Sequence, residues 1–170
     1  SVVMAATVSS LRSRRPRCRR VGIDRPNRAG CRVDLPRRAG HGSGMSPESG
    51  LVATRSLTVS DADTASAVGS GSVLVLATPR LLALCEEATV AAVADHLDPG
   101  MTSVGIQVRL DHVAASPVGR LVTAEATLEK VAGRKLFFTV SAHDDRGLVA
   151  AGKVTRVIVD EASFMAKCES

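Results

Sequence analysis

The sequence predicts an α+β domain in which an antiparallel sheet wraps around one long helix. Residues 78–98 carry helix-start and helix-stop signals around an apolar stretch. Beyond this stretch the hydrophobic residues recur with a period of 2 instead of 3.6, which is typical of strands with one covered face. Short glycine-containing turns connect these strands, and such turns join antiparallel neighbours.

Charge divides the chain into two parts. Residues 1–50 hold 11 arginines and 3 acidic residues, a net charge of +8, whereas residues 51–170 hold 11 basic and 14 acidic residues, a net charge of −3. We therefore expect a disordered Arg-rich extension over 1–50 and a folded domain over 51–170. The extension is open to two interpretations: a transit-like or nucleic-acid-binding arm, or, as we favour, a segment upstream of a working protein that begins near Met45. The acidic balance of the domain argues against nucleic acid as its partner.

The cysteines favour neither a metal site nor a disulfide framework. No two of them form a CxxC pair, and one falls inside the long apolar helix. Reduced thiols in a cytoplasmic protein are the simpler interpretation. No apolar run is long enough to span a membrane, and we expect no metal, no cofactor and no membrane partner.

Two short strands are predicted before the helix, over residues 56–60 and 72–76. The loop between them, residues 61–71, is built from small residues (DADTASAVGSG). The second strand is expected to lead straight into the helix.

The long helix is the predicted centre of the domain. Thr78 is a suitable N-cap and Pro79 a suitable first helical residue, while Pro99 ends the helix at Asp98. Roughly 27 Å of helix results. The helix is apolar around most of its circumference, so we expect it to be buried. Glu86 lies within one of the apolar stripes, where a carboxylate is costly unless it is paired or used.

Four strands follow, each with one apolar face. The faces predicted to point inward are Val104, Ile106, Val108, Leu110 and His112; Val122, Ala124, Ala126 and Leu128; Leu136, Phe138, Val140 and Ala142; and Val154, Arg156 and Ile158. A twisted antiparallel sheet around a single helix is the hot-dog fold. Because one such layer is thin, we expect the domain to pair with a second copy as a homodimer.

Three polar residues of this predicted core can carry acid–base chemistry. Glu86 is a buried carboxylate, His112 is the titratable group on the inward face of its strand, and Thr78 lies at a helix N-terminus, which favours developing negative charge. The alternatives stay open: Glu86 could point outward, His112 could be a core histidine bonded to a carbonyl, and Thr78 could act only as a cap.

Sequence motifs add a family resemblance that runs from about residue 59 to residue 167. The matching features are Thr78 with Glu86 eight residues later, Leu97-Asp98-Pro99-Gly100, Ser103-Val104-Gly105, the run His112 to Gly119 (HVAASPVG), Val131-Ala132-Gly133-Arg134, Arg156, and Phe164 followed by Lys167. In these features the chain resembles the fluoroacetyl-CoA thioesterase-like family of hot-dog acyl-CoA thioesterases.

The resemblance implies that Thr78, Glu86 and His112 form the catalytic set of an acyl-CoA thioesterase. It also implies that the backbone N–H of Gly105 helps to hold the thioester carbonyl, and that Arg156 is a further member of the site. From the residues alone, Gly105 could equally be a β-bulge glycine and Arg156 could simply pair with a strand neighbour.

One departure from the family concerns substrate size. The loop before the helix, Ala67 to Ser72 (AVGSGS), has no aromatic residue that could cover a very small acyl group, so specificity for fluoroacetyl-CoA is not carried over. Two other functions remain possible on this fold: a non-catalytic module that binds acyl-CoA, and a hydratase or dehydratase.

Overall fold

The computed structural model of the chain describes residues 46–169. Residues 1–45 of the predicted extension lie outside the described residues, so the division into an extension and a domain stays a prediction. At the start of the described part, Pro47 is buried and the Gly50 N–H donates to the Leu128 carbonyl.

Five strands form one antiparallel sheet in the order β1-β3-β4-β5-β2, and one long helix, α1, packs against it. The elements are β1 (Val52–Thr58), a 3-10 turn (Asp61–Asp63), α1 (Thr78–Val93), a second 3-10 turn (Ala94–His96), β2 (Met101–His112), β3 (Leu121–Ala132), β4 (Lys135–Asp144), β5 (Gly147–Asp160) and α2 (Glu161–Cys168). The predicted α+β architecture is confirmed.

The core lies between α1 and the inward face of the sheet. One stripe of α1 is fully buried, as are the predicted inward residues of β3 and β4. These residues are Leu81, Leu84, Cys85 and Ala88 on the helix, Val122, Ala124, Ala126 and Leu128 on β3, and Leu136, Phe138, Val140 and Ala142 on β4. The change of hydrophobic period therefore identified the two packed layers correctly.

The prediction was wrong at both ends of the helix. Ala77, which has an extended backbone, is the N-cap residue and Thr78 is the first residue of α1. The Thr78 hydroxyl is bonded to another side chain and does not cap the helix. The α-helix ends at Val93 and a 3-10 turn replaces its last predicted turn. The helix is also less covered than expected in the single chain, since Val90 is 44% exposed.

The predicted strand over residues 72–76 does not form. Leu76 pairs with Thr64 and Val75 pairs with Pro117, each as an isolated bridge. Because neighbouring residues of this segment bond to different partners, no continuous ladder develops.

The first strand begins earlier than predicted, at Val52. The helix α2 was not predicted; Asp160 caps it by accepting a hydrogen bond from the Ser163 N–H.

A β-bulge reverses the facing of residues along β2. The register of β2 against β5 shifts between Gly105 and Gln107. Before the bulge Ser103 is buried, and at the bulge Ile106 is 52% exposed, so the prediction that Val104 and Ile106 face the core was wrong. Val108 and Leu110, after the bulge, pack against the core as predicted.

The bulge has a consequence for the polar residues of β2. In a regular strand Gly105 and His112 would point to opposite faces, since seven residues separate them. The extra residue places both of them on the side of the sheet that carries α1.

Candidate active site

Thr78 and His112 form a hydrogen-bonded pair where α1 begins and β2 ends. Thr78 Oγ1 lies 3.0 Å from His112 Nδ1. The second ring nitrogen of His112, Nε2, is buried and has no hydrogen-bond partner among residues 46–169. A histidine held through one nitrogen keeps the other available for proton transfer.

The segment after β2 holds this pair in place. The N–H groups of Val113 and Ala114 both donate to the Val149 carbonyl of β5, and the Leu76 N–H donates to the Ser116 carbonyl. The Ser116 hydroxyl, which is buried, donates to Asp144 at 3.2 Å. The end of β2 is thus tied to β5 and to the residues just before α1, so the HVAASPVG motif positions His112 against Thr78.

Glu86 lies directly over Gly105. A Cβ atom at Gly105 would be 2.3 Å from Glu86 Oε1, which is closer than any side chain permits. Only glycine therefore leaves room for the carboxylate at this position. The Glu86 side chain is 31% exposed, so the carboxylate is bound on one side and open on the other.

Arg156 connects Glu86 to the sheet. Its Nη1 lies 3.4 Å from Glu86 Oε1, its Nε donates to the Ser103 hydroxyl at 2.9 Å, and its Nη2 donates to the Ser103 carbonyl at 2.7 Å. Thr89 completes the group, because its hydroxyl lies 3.4 Å from Arg156 Nη1 and donates to the Glu86 carbonyl at 2.6 Å. Arg156 is only 6% exposed, so its donors are used within the protein.

The electrostatics of the site favour a neutral histidine and an inert thiol. Burial lowers the pKa of His112, opposed by a smaller effect of a hydrogen bond with the Ala114 backbone. Burial also raises the pKa of Cys85 to about 11, with a further contribution from the adjacent Glu86 carboxylate. The Cys85 thiol is therefore protonated at neutral pH and is a poor nucleophile. Arg156 keeps its charge, although burial lowers its pKa.

The predicted residues thus form two clusters in the single chain. Thr78 contacts His112, while Glu86 contacts Gly105 and Arg156. Eight residues of α1 separate Thr78 from Glu86, a rise of about 12 Å along the helix axis. No hydrogen bond between the two clusters is present in residues 46–169.

Ser103 and Thr89 were missed by the sequence analysis. Ser103 is not among the residues of β2 that the sequence predicts to face inward, and the sequence analysis gives Thr89 no role on the helix. The signal for Ser103 was Gly105 itself, because a glycine inside an alternating strand often marks a bulge and hence a change of facing.

Comparison with known proteins identifies the family. Residues 59–162 match the family described as fluoroacetyl-CoA-specific thioesterase. The chain belongs to this family of thioester hydrolases. The fluoroacetyl-CoA thioesterase of Streptantibioticus cattleyicolor is 40% identical over 93 residues, which make up 55% of this chain and 67% of that protein.

Solved structures of thioesterases share the fold. A crystal structure of a single-residue variant of a fluoroacetyl-CoA-specific thioesterase is similar with a TM-score of 0.69 at 32% identity, over 73% of this chain and 96% of that one. A thioesterase superfamily member from Thermus thermophilus is similar with a TM-score of 0.68 at 26% identity, over 74% and 93% of the two chains. A hot-dog-like protein from Thermanaerovibrio acidaminovorans, at 24% identity, has a TM-score of 0.65 over 71% and 89%. The hot-dog fold of this thioesterase family member is thereby confirmed.

Proposed function

We propose that this protein hydrolyses an acyl-CoA thioester to a free acid and CoA, and that Glu86, His112 and Thr78 are its catalytic residues. Membership of a thioesterase family supports the reaction class. The observation that carries the residue assignment is the position of the Glu86 carboxylate over β2. Arg156 and Gly105 contact it on one side, and its other side is open to solvent. A fixed and accessible carboxylate is what nucleophilic or general-base catalysis requires.

Two routes for Glu86 remain open. In the first, the carboxylate takes a proton from water as the water oxygen bonds to the thioester carbon, and the C–S bond then breaks. In the second, a carboxylate oxygen bonds to that carbon and displaces the CoA thiolate, and water cleaves the resulting mixed anhydride. In the first route His112 passes the proton that Glu86 took from water to the departing thiolate. In the second route His112 gives its own proton to the thiolate and regains one from the water that cleaves the anhydride. In both routes Thr78 keeps the imidazole oriented.

The developing oxyanion needs donors, and Gly105 is the residue we propose for this role. It lies on β2, which is an edge strand, so part of its backbone has no strand partner within residues 46–169. The bulge that follows Gly105 turns it toward the helix side of the sheet. The N-terminus of α1, where Thr78 lies, adds a favourable dipole.

Arg156 acts, in this proposal, by positioning Glu86 and not by binding substrate. Its burial and its bonds to Ser103 support this role, since they leave the guanidinium surrounded by protein groups.

We further propose that the active protein is a homodimer with composite sites. Three features support this: the unpaired edge of β2, the exposed apolar Ile106 and Val113 on and beside that edge, and the separation of the two polar clusters. An antiparallel pairing of β2 with its copy, centred between Val108 and Arg109, would bring Gly105 opposite His112 of the partner subunit. Glu86 of one chain would then work with the Thr78–His112 pair of the other.

The acyl group is larger than fluoroacetyl in this proposal. The loop before α1 carries no aromatic side chain, and its Val68 and the following Val73 and Leu74 are exposed.

The free thiols of Cys85 and Cys168 agree with a cytoplasmic location. Within the described part of the chain, no helix is long and apolar enough to cross a membrane.

Thiol release from a series of acyl-CoAs of increasing length tests the proposal. We expect Glu86→Gln to lower kcat by roughly a hundredfold or more, because an amide neither accepts a proton nor attacks a carbonyl. Glu87→Gln is the matched control: this neighbour is exposed and pairs with Arg80, so its rate should equal that of the native protein. Equal rates for both variants would overturn the assignment of Glu86. Saturable binding of CoA esters without thiol release would indicate the non-catalytic module instead.

A further inference from the structure

The turn between β4 and β5 contains a buried carboxylate that the proposed chemistry does not use. Asp144 ends β4 and Gly147 begins β5, so the connection consists of Asp145 and Arg146. The side chain of Asp145 is 70% exposed, as is usual for an acidic turn residue, whereas that of Asp144 is only 2% exposed. Because a buried carboxylate is costly unless it is hydrogen-bonded, the partners of Asp144 indicate what this residue does.

Both oxygens of Asp144 accept hydrogen bonds. Oδ1 accepts the backbone N–H of Arg146 at 2.8 Å, a bond within the turn. Oδ2 accepts Arg146 Nη2 at 3.2 Å and the Ser116 hydroxyl at 3.2 Å. Arg146 Nη2 also donates to the Ala115 carbonyl. The turn therefore holds two consecutive residues of the segment after β2, Ala115 by its carbonyl and Ser116 by its side chain.

A role within the turn alone does not account for the burial of Asp144. An aspartate can accept the N–H of the residue two positions later from an exposed site, and turn aspartates commonly do so. The contact with Ser116 is different in kind, since it joins residues 28 positions apart and Ser116 is itself fully buried. The bond to Ser116 is therefore the contact that ties Asp144 to the rest of the domain.

Ser116 lies on the chain between the two members of the Thr78–His112 pair. It follows His112 by four residues, and its carbonyl accepts the N–H of Leu76, two residues before Thr78. The two residues directly after His112 share one backbone acceptor, the Val149 carbonyl. The placement of both members of the pair thus depends on where Ser116 is held.

We propose that Asp144 is a positioning residue for the Thr78–His112 pair and that it acts through the Ser116 hydroxyl. Arg146 assists, because it binds both the carboxylate and the carbonyl next to Ser116. The inference rests on the proposed catalytic role of His112, and it gives the β4–β5 turn a part in the activity. Without this link the segment after β2 is held less firmly, and the imidazole loses its fixed position against Thr78.

Thiol release from an acyl-CoA that the native protein hydrolyses tests the inference. We expect Asp144→Asn to lower kcat about tenfold with little change in KM, since a misplaced catalytic group slows the chemical step more than it weakens binding. An amide has one acceptor oxygen where the carboxylate uses two, so one donor loses its acceptor. The matched control is Asp145→Asn, which makes the same change in the same turn. It affects a surface ion pair with Arg120 and should keep the native kcat.

A second variant shows whether Asp144 acts through Ser116. Ser116→Ala removes the hydroxyl but keeps the carbonyl that accepts the Leu76 N–H, and we expect a similar loss in kcat. Two residues that act through one bond are not additive, so the double variant should lose little more than either single variant. A loss near the product of the two, roughly a hundredfold, would overturn the proposed route through Ser116.

An NMR titration of His112 separates this inference from the proposed function. Burial lowers the pKa of His112, opposed by a smaller effect of a hydrogen bond with the Ala114 backbone. An imidazole that is held less firmly is more exposed, so its pKa should rise toward 6.5 in Ser116→Ala, which changes no charge. In Asp145→Asn it should stay at the native value.

A pKa increase in Ser116→Ala would support the inference even if no acyl-CoA were hydrolysed. The His112 signal is identified by its absence from the spectrum of His112→Gln. A native pKa in Ser116→Ala, or a native kcat in Asp144→Asn, would overturn the inference whatever the effect of these changes on stability. The thioesterase assignment would remain intact.

Discussion

At the scale of single residues, the site is built around one close contact. Glu86 Oε1 occupies the space that a side chain at position 105 would need, and Arg156 holds the same oxygen from the other side. The position of the Glu86 carboxylate therefore depends on the absence of a side chain at Gly105 and on the buried guanidinium of Arg156. If Glu86 is catalytic, as we propose, the activity should be sensitive to one added methyl group at position 105.

Gly105→Ala is expected to abolish most of the activity without unfolding the protein. The added methyl must displace the end of the Glu86 side chain, which is flexible, so the cost to stability is small while the carboxylate is misplaced by about 1 Å or more. We expect a loss of about a hundredfold in kcat. Thiol-release kinetics and thermal unfolding measure the two effects. Gly71→Ala is the control, since its methyl would meet only Ala65 Cβ at 3.4 Å. Full activity in Gly105→Ala would contradict the proposed placement of Glu86.

The lowered pKa of His112 should make the free energy of unfolding depend on pH. Because burial lowers its pKa below the ordinary value of 6.5, the unfolded state binds more protons than the folded state as the pH falls below 6.5. The free energy of unfolding therefore decreases over that range, down to the folded-state pKa, and this contribution is fully present only above 6.5.

Comparison with His112→Gln isolates this effect. Urea unfolding of both proteins at about pH 7.5 and about pH 5.5 gives two differences in the free energy of unfolding. We expect the native protein to lose stability relative to the variant at the lower pH. A difference that stays constant, or that grows in favour of the native protein in acid, would contradict a lowered pKa.

At the scale of elements, β2 carries most of the functional geometry. Its bulge places Gly105 and His112 on one side of the sheet, and its outer edge has no strand partner in the part of the chain that the structure describes. A long edge strand with exposed apolar residues is a site for pairing with another strand. The opposite edge, β1, is shorter and serves as an internal comparison.

Ile106→Lys should weaken self-association, since it places a charge on the β2 edge where we propose that two copies meet. Val52→Lys on the β1 edge is the matched control, because the two side chains are similarly exposed, at 52% and 54%. Light scattering should show a dimer for the native protein and the control, and a shift toward monomer for Ile106→Lys. Dimers of equal stability in all three would show that β2 is not the interface.

At the scale of the whole molecule, the distance between the two polar clusters becomes important. One chain places Glu86 about 12 Å along α1 from Thr78, and within residues 46–169 no hydrogen bond joins Glu86 to the Thr78–His112 pair. A single chain therefore shows no direct link between the groups that we propose to act on one carbonyl. A two-fold partner removes the difficulty if it supplies the missing cluster. The composite arrangement has a distinctive consequence in mixed dimers.

Mixing two inactive variants should restore activity. In a dimer of one Glu86→Gln chain and one His112→Ala chain, a composite arrangement leaves one site with both defects and one site with none. With random exchange half of the dimers are mixed, so we expect about one quarter of the native activity per chain. The measurement is thiol release after the two variants are unfolded and refolded together, with each variant refolded alone as the control. No recovery would show that each site belongs to one chain.

Local patterns in the sequence determined the architecture and predicted the polar residues of the candidate site. The apolar stripe of α1 and the alternation of β3 and β4 follow from helix and strand periodicity, which act over a few residues and therefore leave a readable pattern. Thr78, Glu86 and His112 stood out because each is polar in an apolar or terminal position.

Only the tertiary structure decided which of these residues meet. The bulge after Gly105 changed the facing of Ser103 and Ile106, because the insertion of one residue into a ladder depends on how two strands align and not on either strand alone. The Thr78 hydroxyl was placed on His112 and not on its own helix end, and the partners of Arg156 came from α1 and β2. Such contacts join residues 34 to 70 positions apart, and a local pattern carries no information about pairing over that separation.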